Sequence, residues 1–144
     1  KWEDLIGDLG IDGVVWTYRM NNLKLKDPSA FTYCKVMDDK LTIKEVVSKR
    51  AISSNPELDL LAIGVFWYRR ADDFFKSAQH MLDKGGDAKG GCCVGATINE
   101  LLDEGRHFVV FEVDQWIPFG SPFELQTLEY WEDIFHSSIL NFRS

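Results

Sequence analysis

Apolar positions in this chain follow two spacings, and the switches between them mark out its elements. Trp2, Leu5, Ile6 and Leu9 recur at helical spacing before Gly10, which predicts a short amphipathic helix with a glycine stop. Residues 14–18 then form a dense β-branched and aromatic run after Asp12-Gly13, the pattern of a strand covered on both faces. A polar loop over residues 19–30 leads to two further runs, 31–37 and 41–47. They flank Asp38-Asp39-Lys40 and predict a hairpin that lacks the usual turn glycine. Residues 48–59 read as an irregular connection. Residues 60–68 are apolar without alternation, so they should lie in the middle of a sheet, with Gly64 as a pointed interruption.

The second half turns helical. Phe74, Phe75, Ala78, Met81 and Leu82 make one apolar stripe on a helix from Ala71 to about Lys84, ended by Gly85-Gly86. A second helix covers about 94–104 and closes at Gly105, and residues 108–113 supply another buried strand. Ser121, Pro122 and Glu124 supply N-cap, first-turn proline and capping-box glutamate for a last helix carrying Leu125, Leu128, Trp131, Ile134 and Phe135. The order α-β-ββ-β-α-α-β-α excludes a bundle or a sandwich. It predicts an α/β fold, a layered mixed β-sheet with helices packed on it.

Length and charge narrow the function classes. A chain of 144 residues suits one domain, 1–144, able to bury roughly 70% of its unfolded surface. A net charge of −7 argues against nucleic acid, whose phosphates are held by clustered Lys and Arg. The longest apolar run falls far short of the roughly 20 residues that span a bilayer, so no membrane partner is expected. Cys34, Cys92 and Cys93 lack the spacing of a disulfide framework or a zinc site and read as reduced, buried thiols of a cytoplasmic protein.

Five segments, in order, carry a resemblance. They are Pro28-Ser29-Ala30-Phe31-Thr32-Tyr33-Cys34, Ser48-Lys49-Arg50-Ala51-Ile52-Ser53, Leu61 to Tyr68 with its Gly64, Gly90-Gly91-Cys92-Cys93-Val94-Gly95, and 111–122 with Phe-Glu-Val-Asp-Gln-Trp followed by Gly-Ser-Pro. From about Asp12 to Ile134 the chain resembles the carboxyl-terminal half of the sugar-1-phosphate nucleotidyltransferases, enzymes that join a nucleoside triphosphate to a sugar-1-phosphate and release pyrophosphate.

That resemblance implies part of the nucleotide-diphospho-sugar transferase (Rossmann-like) fold, and an in-line phosphoryl attack governed by positioning and charge neutralisation. It implies sugar phosphate and nucleotide as ligands, and Mg²⁺ as the cofactor of a complete member. The sugar-phosphate side would comprise Lys49 reaching the phosphate, Thr32 and Gly64 beside the sugar, and Asn99, Asp114 and Trp116 near the pocket. The family's Gly-rich nucleotide loop has no counterpart here, since no GxGxxR-like or GxxxxGK-like segment occurs. Ser48 stands where the family has a Glu, Gly91 and Gly95 where it has acidic residues, and Pro118 where many members carry a metal-ligating Asp. No catalytic residue and no metal ligand is therefore assigned, and the fragment is expected to be inactive alone. The alternatives are a degenerate sugar- or nucleotide-binding or regulatory module, or a related glycosyltransferase domain, for which a DxD-like motif is missing.

Each candidate also has a plainer reading. Lys49 could be a solvated lysine beside Arg50, Gly64 a bulge, and Asn99 and Asp114 structural. His80, His107 and His136 stand apart, and Asp72-Asp73 suit the first turn of a helix dipole. A half-sheet without its amino-terminal strands should leave an unpaired edge and an exposed apolar face, which favours a homo-oligomer or pairing with upstream sequence.

Overall fold

A computed structural model describes residues 2–8, 10–20, 27–86 and 93–141, with the backbone alone for 137–141. The expectations on Leu9, on residues 21–26 of the 19–30 loop, and on Gly90, Gly91 and Cys92 fall outside the described residues. The elements are α1 (Trp2–Gly7), β1 (Gly13–Tyr18), β2 (Thr32–Val36), β3 (Ile43–Ser48), β4 (Leu60–Tyr68), α2 (Ala71–Asp83), α3 (Thr97–Asp103), β5 (Phe108–Glu112) and α4 (Pro122–Asn141). This is the predicted order. Two compact units divide the chain, Lys1–Asp114 and Gln115–Ser144.

In the first unit the strands form one mixed sheet in the order β3-β2-β4-β1-β5, with β4 at its centre as its unbroken apolar run requires. β1 and β5 run parallel and the other pairs antiparallel. The β2–β3 turn manages without glycine because Lys40 takes a left-handed φ of 59°. The Asp39 carboxylate accepts from the Leu41 and Thr42 amides, each at 2.9 Å, and holds that turn.

β4 carries a bulge. Val15 pairs with Phe66 and Thr17 with Ala62, so Ile63, Gly64 and Val65 face Trp16 alone. Gly64 has a φ of 87°, which a side chain would strain, and this explains the interruption.

One face of the sheet packs Val15, Cys34, Ile43, Val46, Leu60 and Val110 against Ile98 and Leu101 of α3. The other face packs Val14 and Val109 with Ile11 and, from α1, Trp2 and Leu5. Trp2 meets Trp16 at a 4.5 Å centroid distance. Arg69 fixes α1 by donating to the Ile11 carbonyl at 2.6 Å, to the Ile6 carbonyl at 3.2 Å and to the Asp8 carbonyl, cations being favoured at a helix carboxyl end. Gly13 lies so close to Phe108 that an added Cβ would stand 2.0 Å from the ring.

One expectation needs correcting. The stripe on α2 is rotated from the sequence reading: Asp73, Ser77 and Met81 are buried, while Phe75 and Leu82 are 65% and 53% exposed. On the buried side of α2, the Arg106 guanidinium reaches Asp73 at 3.2 Å and also Asp12 at 3.5 Å. Asp73 is thus an interior ion-pair partner as well as a first-turn acid.

Part of the sheet margin is covered by the chain itself. The hairpin turn reaches β5, with Thr42 bridging Val109 and the Val110 amide donating to the Leu41 carbonyl at 2.9 Å. A β-sheet edge left bare recruits other strands, and this contact covers part of two edges at once.

In the second unit, Ser121 and Glu124 form the predicted capping box. The Ser121 amide donates to Glu124 Oε2 at 2.9 Å and the Glu124 amide to Ser121 Oγ at 3.3 Å. Ile117, Phe123, Leu128, Trp131 and Phe135 of this unit line an apolar groove of about 490 Å³.

Candidate functional site

The strand register decides which predicted residues meet. Ser48 pairs with Thr32, and the Lys49 amide donates to the Phe31 carbonyl at 2.9 Å, so β3 ends beside the start of β2. Tyr33 pairs with Leu61, which brings Thr32 level with Ala62, two residues before Gly64. Thr32, Lys49 and Gly64 are thereby collected in one region of the sheet. Thr17 pairs with both Ala62 and Glu112, so the same level continues across the sheet to the carboxyl end of β5. Asp114, exposed, follows Glu112 by two residues at that end. Three strand spacings, about 14 Å along the sheet, separate β2 from β5, so Asp114 is not a neighbour of Thr32. Trp116 is half-buried and belongs to the second unit.

Lys49 is exposed and adopts φ 52°, the left-handed region that costs a non-glycine residue roughly 1–2 kcal/mol. Strain of this kind collects at ligand sites. Gly64 is exposed, and a Cβ built on it meets nothing within 4 Å. Beside it a cleft of about 500 Å³ is lined by Gly64, Phe66, Tyr68, Phe74, Phe75 and Val94. Asn99 does something different: its Oδ1 accepts from the Val46 amide and its Nδ2 donates to the Val46 carbonyl, both at 2.8 Å. Its side chain therefore imitates a further strand along β3.

Thr32 does not open into free space. Its Oγ1 lies 3.6 Å from Cys93 Sγ, and its methyl group would stand 3.2 Å from a Cβ at Gly95. Val46 stands 3.3 Å and Phe66 3.7 Å from the same position, so a side chain at Gly95, where the resemblance calls for acid, would have to displace its neighbours.

Cys93 is the residue that sequence reasoning misjudged. Burial pushes its thiol up, but contributions from the Ser48 and Thr32 hydroxyls and the Gly95 and Ala96 amides outweigh it, and the net pKa is lowered. Ser48 Oγ is buried and has no partner of good hydrogen-bond geometry, so its effect on the sulfur is one of proximity. Cys34, 2% exposed, has its thiol pushed up by burial to about 12. The only signal for the difference was the place of Cys93 just before a helical start.

The histidines are tied locally. His80 Nδ1 lies 2.9 Å from Glu100 Oε2, which also pairs with Lys84 at 3.0 Å. The His107 amide donates to Asp12 Oδ2 at 2.8 Å, and its ring sits 3.2 Å from Thr42 Oγ1. Among the described residues no three His, Cys, Asp or Glu side chains group as a metal site. No described helix is long and apolar enough to cross a membrane.

The parallel β1–β5 pair inside a mixed sheet, with helices packed on it, is the Rossmann-like arrangement of nucleotide-diphospho-sugar transferases. Two solved structures share it. A nucleoside-diphosphate-sugar pyrophosphorylase from Vibrio cholerae RC9 matches with a TM-score of 0.62 and 18% identity over 81% of this chain and 46% of its own. A CMP:2-keto-3-deoxy-manno-octonic acid synthetase complexed with CTP matches with a TM-score of 0.57 and 14% identity over 92% of this chain and 53% of its own. The chain spans about half the length of each. No protein-family model matches the sequence, and no curated protein matches it significantly. At such identities the likeness is one of fold.

Proposed function

We propose that this chain is a nucleotidyltransferase-like domain that contributes the sugar-phosphate side of a site for nucleotide-sugar synthesis and does not turn over alone. The observation that supports it is the convergence of Lys49, Thr32 and Gly64, with Lys49 held in a left-handed conformation at the end of β3. In this reading the Lys49 ammonium meets the phosphate, a role suited to a compact charge on a flexible stem. The open backbone at Gly64 accepts the sugar beside the cleft. Mg²⁺ would belong to the nucleotide side and take its ligands from outside these residues. Self-association is part of the proposal, because β2 pairs with β4 only at Leu60 and Leu61 and leaves residues 62–68 without a strand on that margin among the described residues.

Calorimetric titration with sugar-1-phosphates tests it. Saturable binding weakened about tenfold or more by Lys49→Gln is expected, from the loss of one charge-assisted contact. Equal affinity in that variant refutes the assignment. A sedimentation series showing a monomer at every concentration refutes the association.

A second reading has its own support. Gly95 is packed against Thr32 and Val46, and Ser48 replaces a glutamate, so the region where sugar hydroxyls would be bound lacks carboxylates. A non-catalytic binding module fits that loss. Sugar binding indifferent to Mg²⁺ and nucleotide, without turnover when the protein is full length, distinguishes it.

A further inference from the structure

Cations gather at a second place, which shares no residue with the site above. A cavity of about 350 Å³ opens where the carboxyl end of β1 meets the β2–β3 hairpin, lined by Arg19, Lys35, Lys44, Asp59, Ile52 and Leu60. On a chain of net charge −7, three cations line one cavity in which Asp59 is the one lining carboxylate. Two of them are braced from outside the cavity. Arg19 Nε donates to Glu112 Oε1 at 3.1 Å and its Nη1 to the Leu58 carbonyl, while Lys35 Nζ reaches Glu45 Oε2 at 2.6 Å. Glu112 and Glu45 are not among the lining residues, so they orient the cations without filling the space.

Each brace leaves donors over. A guanidinium has five N–H groups and an ammonium three, and the contacts made here use only part of them. Lys44 is exposed and has no acidic partner among the described residues. Both ion pairs are partly exposed, at 33% and 45% for Arg19–Glu112 and 37% and 43% for Lys35–Glu45, so water and a competing anion can reach them. Ile52 and Leu60 add an apolar wall, and Asp59, whose Oδ2 accepts from the Ser53 amide at 3.1 Å, supplies an acceptor for a ligand hydroxyl. The place also follows the rule that open α/β sheets take ligands beyond the carboxyl ends of their parallel strands, since Arg19 directly follows β1.

We propose that this cavity is a binding site for a small, multiply charged oxyanion with an organic hydroxylated body, a phosphorylated or polycarboxylated metabolite, separate from the sugar-phosphate region at Lys49. Arg19 and Lys35 clamp the anion, Lys44 completes its charge, and Asp59 orients the body.

Titrating the ¹⁵N-labelled chain with inorganic pyrophosphate, citrate and inorganic phosphate tests this at low ionic strength, where exposed charges are least screened. Saturable shifts centred on Arg19, Lys35 and Lys44 with at least one polyanion are expected, and pyrophosphate against citrate tells the phosphate class from the carboxylate class. Lys44→Glu should weaken binding roughly tenfold or more while leaving the melting temperature unchanged, because Lys44 supports no contact in the fold. Lys35→Gln should weaken it too, and Lys49→Gln should not. Absence of saturation with all three probes at millimolar concentration overturns the proposal. So does binding lost in Lys49→Gln but kept in Lys44→Glu, which would put the anion in the other region.

Discussion

Replacing Asn99 separates a structural amide from a ligand contact. Its side chain satisfies the amide and the carbonyl of Val46, both at 2.8 Å, on the side of β3 turned away from β2. In Asn99→Leu both backbone groups lose their partner at a half-buried site. A net loss of about 0.5–1.5 kcal/mol per hydrogen bond, with part of the desolvation cost of the orphaned groups added, gives a destabilisation of about 2–3 kcal/mol. Urea unfolding followed by circular dichroism reads this directly. With a slope of about 1–3 kcal/mol/M the midpoint should fall by roughly 0.7–3 M while the slope holds. Asn99→Asp keeps the acceptor for the Val46 amide but sets a carboxylate against the Val46 carbonyl, so it should not restore stability. A change below about 0.5 kcal/mol in Asn99→Leu, accompanied by lost sugar-phosphate affinity, would show that Asn99 serves the ligand and that the strand edge needs no cap.

Gly13→Ala should be destabilising by about 1–3 kcal/mol or more in the same assay, because the new Cβ would overlap the ring of Phe108, itself 1% exposed. Iodoacetamide labelling read by mass spectrometry should modify Cys93 well before Cys34 near neutral pH, and equal rates would contradict the thiol environments. Acid should lower stability modestly through Asp39 and Glu100. Hydrogen bonds from Thr42 and Leu41 hold the first carboxyl below its usual range, and the Lys84 bond, with the Lys84 and His80 charges, holds the second below its own. A carboxyl depressed by folding stabilises above its unfolded pKa, and that contribution is lost as pH falls through the folded value. Stability should therefore hold near neutrality and decline below about pH 4, and a flat profile there refutes it.

Much of the fold was legible because single residues announce it. Residues 60–68 have no charge to face water, so their run sits at the sheet centre, and Ser121, Pro122 and Glu124 start α4 as read. The rotation of α2 was hidden because the partner that Asp73 meets, Arg106, is distant in sequence. The hairpin succeeded without its expected glycine because Lys40 adopts the left-handed conformation. For the proposed site, the hairpin register sets Ser48, with Lys49 after it, beside Thr32. Asn99 is committed to Val46, and the crowding around Gly95 comes from Thr32 and Val46 on two other strands, which no local spacing reveals. The Arg19, Lys35 and Lys44 cavity draws on a loop and both arms of the hairpin, and no one segment carries its charge.

The bridge from Thr42 to Val109 bears on how the chain reaches its native state. It joins a turn early in the sequence to a strand synthesised long after it, and closing so large a loop brings little reward until β5 is in place. The hairpin can form early on its own local contacts, but its tip has nowhere to dock until the last strand arrives. Folding of the first unit should consequently be slow and concerted. The Val110 amide, which donates to the Leu41 carbonyl, should gain its protection only in that late step, after the Leu41 and Thr42 amides held by Asp39.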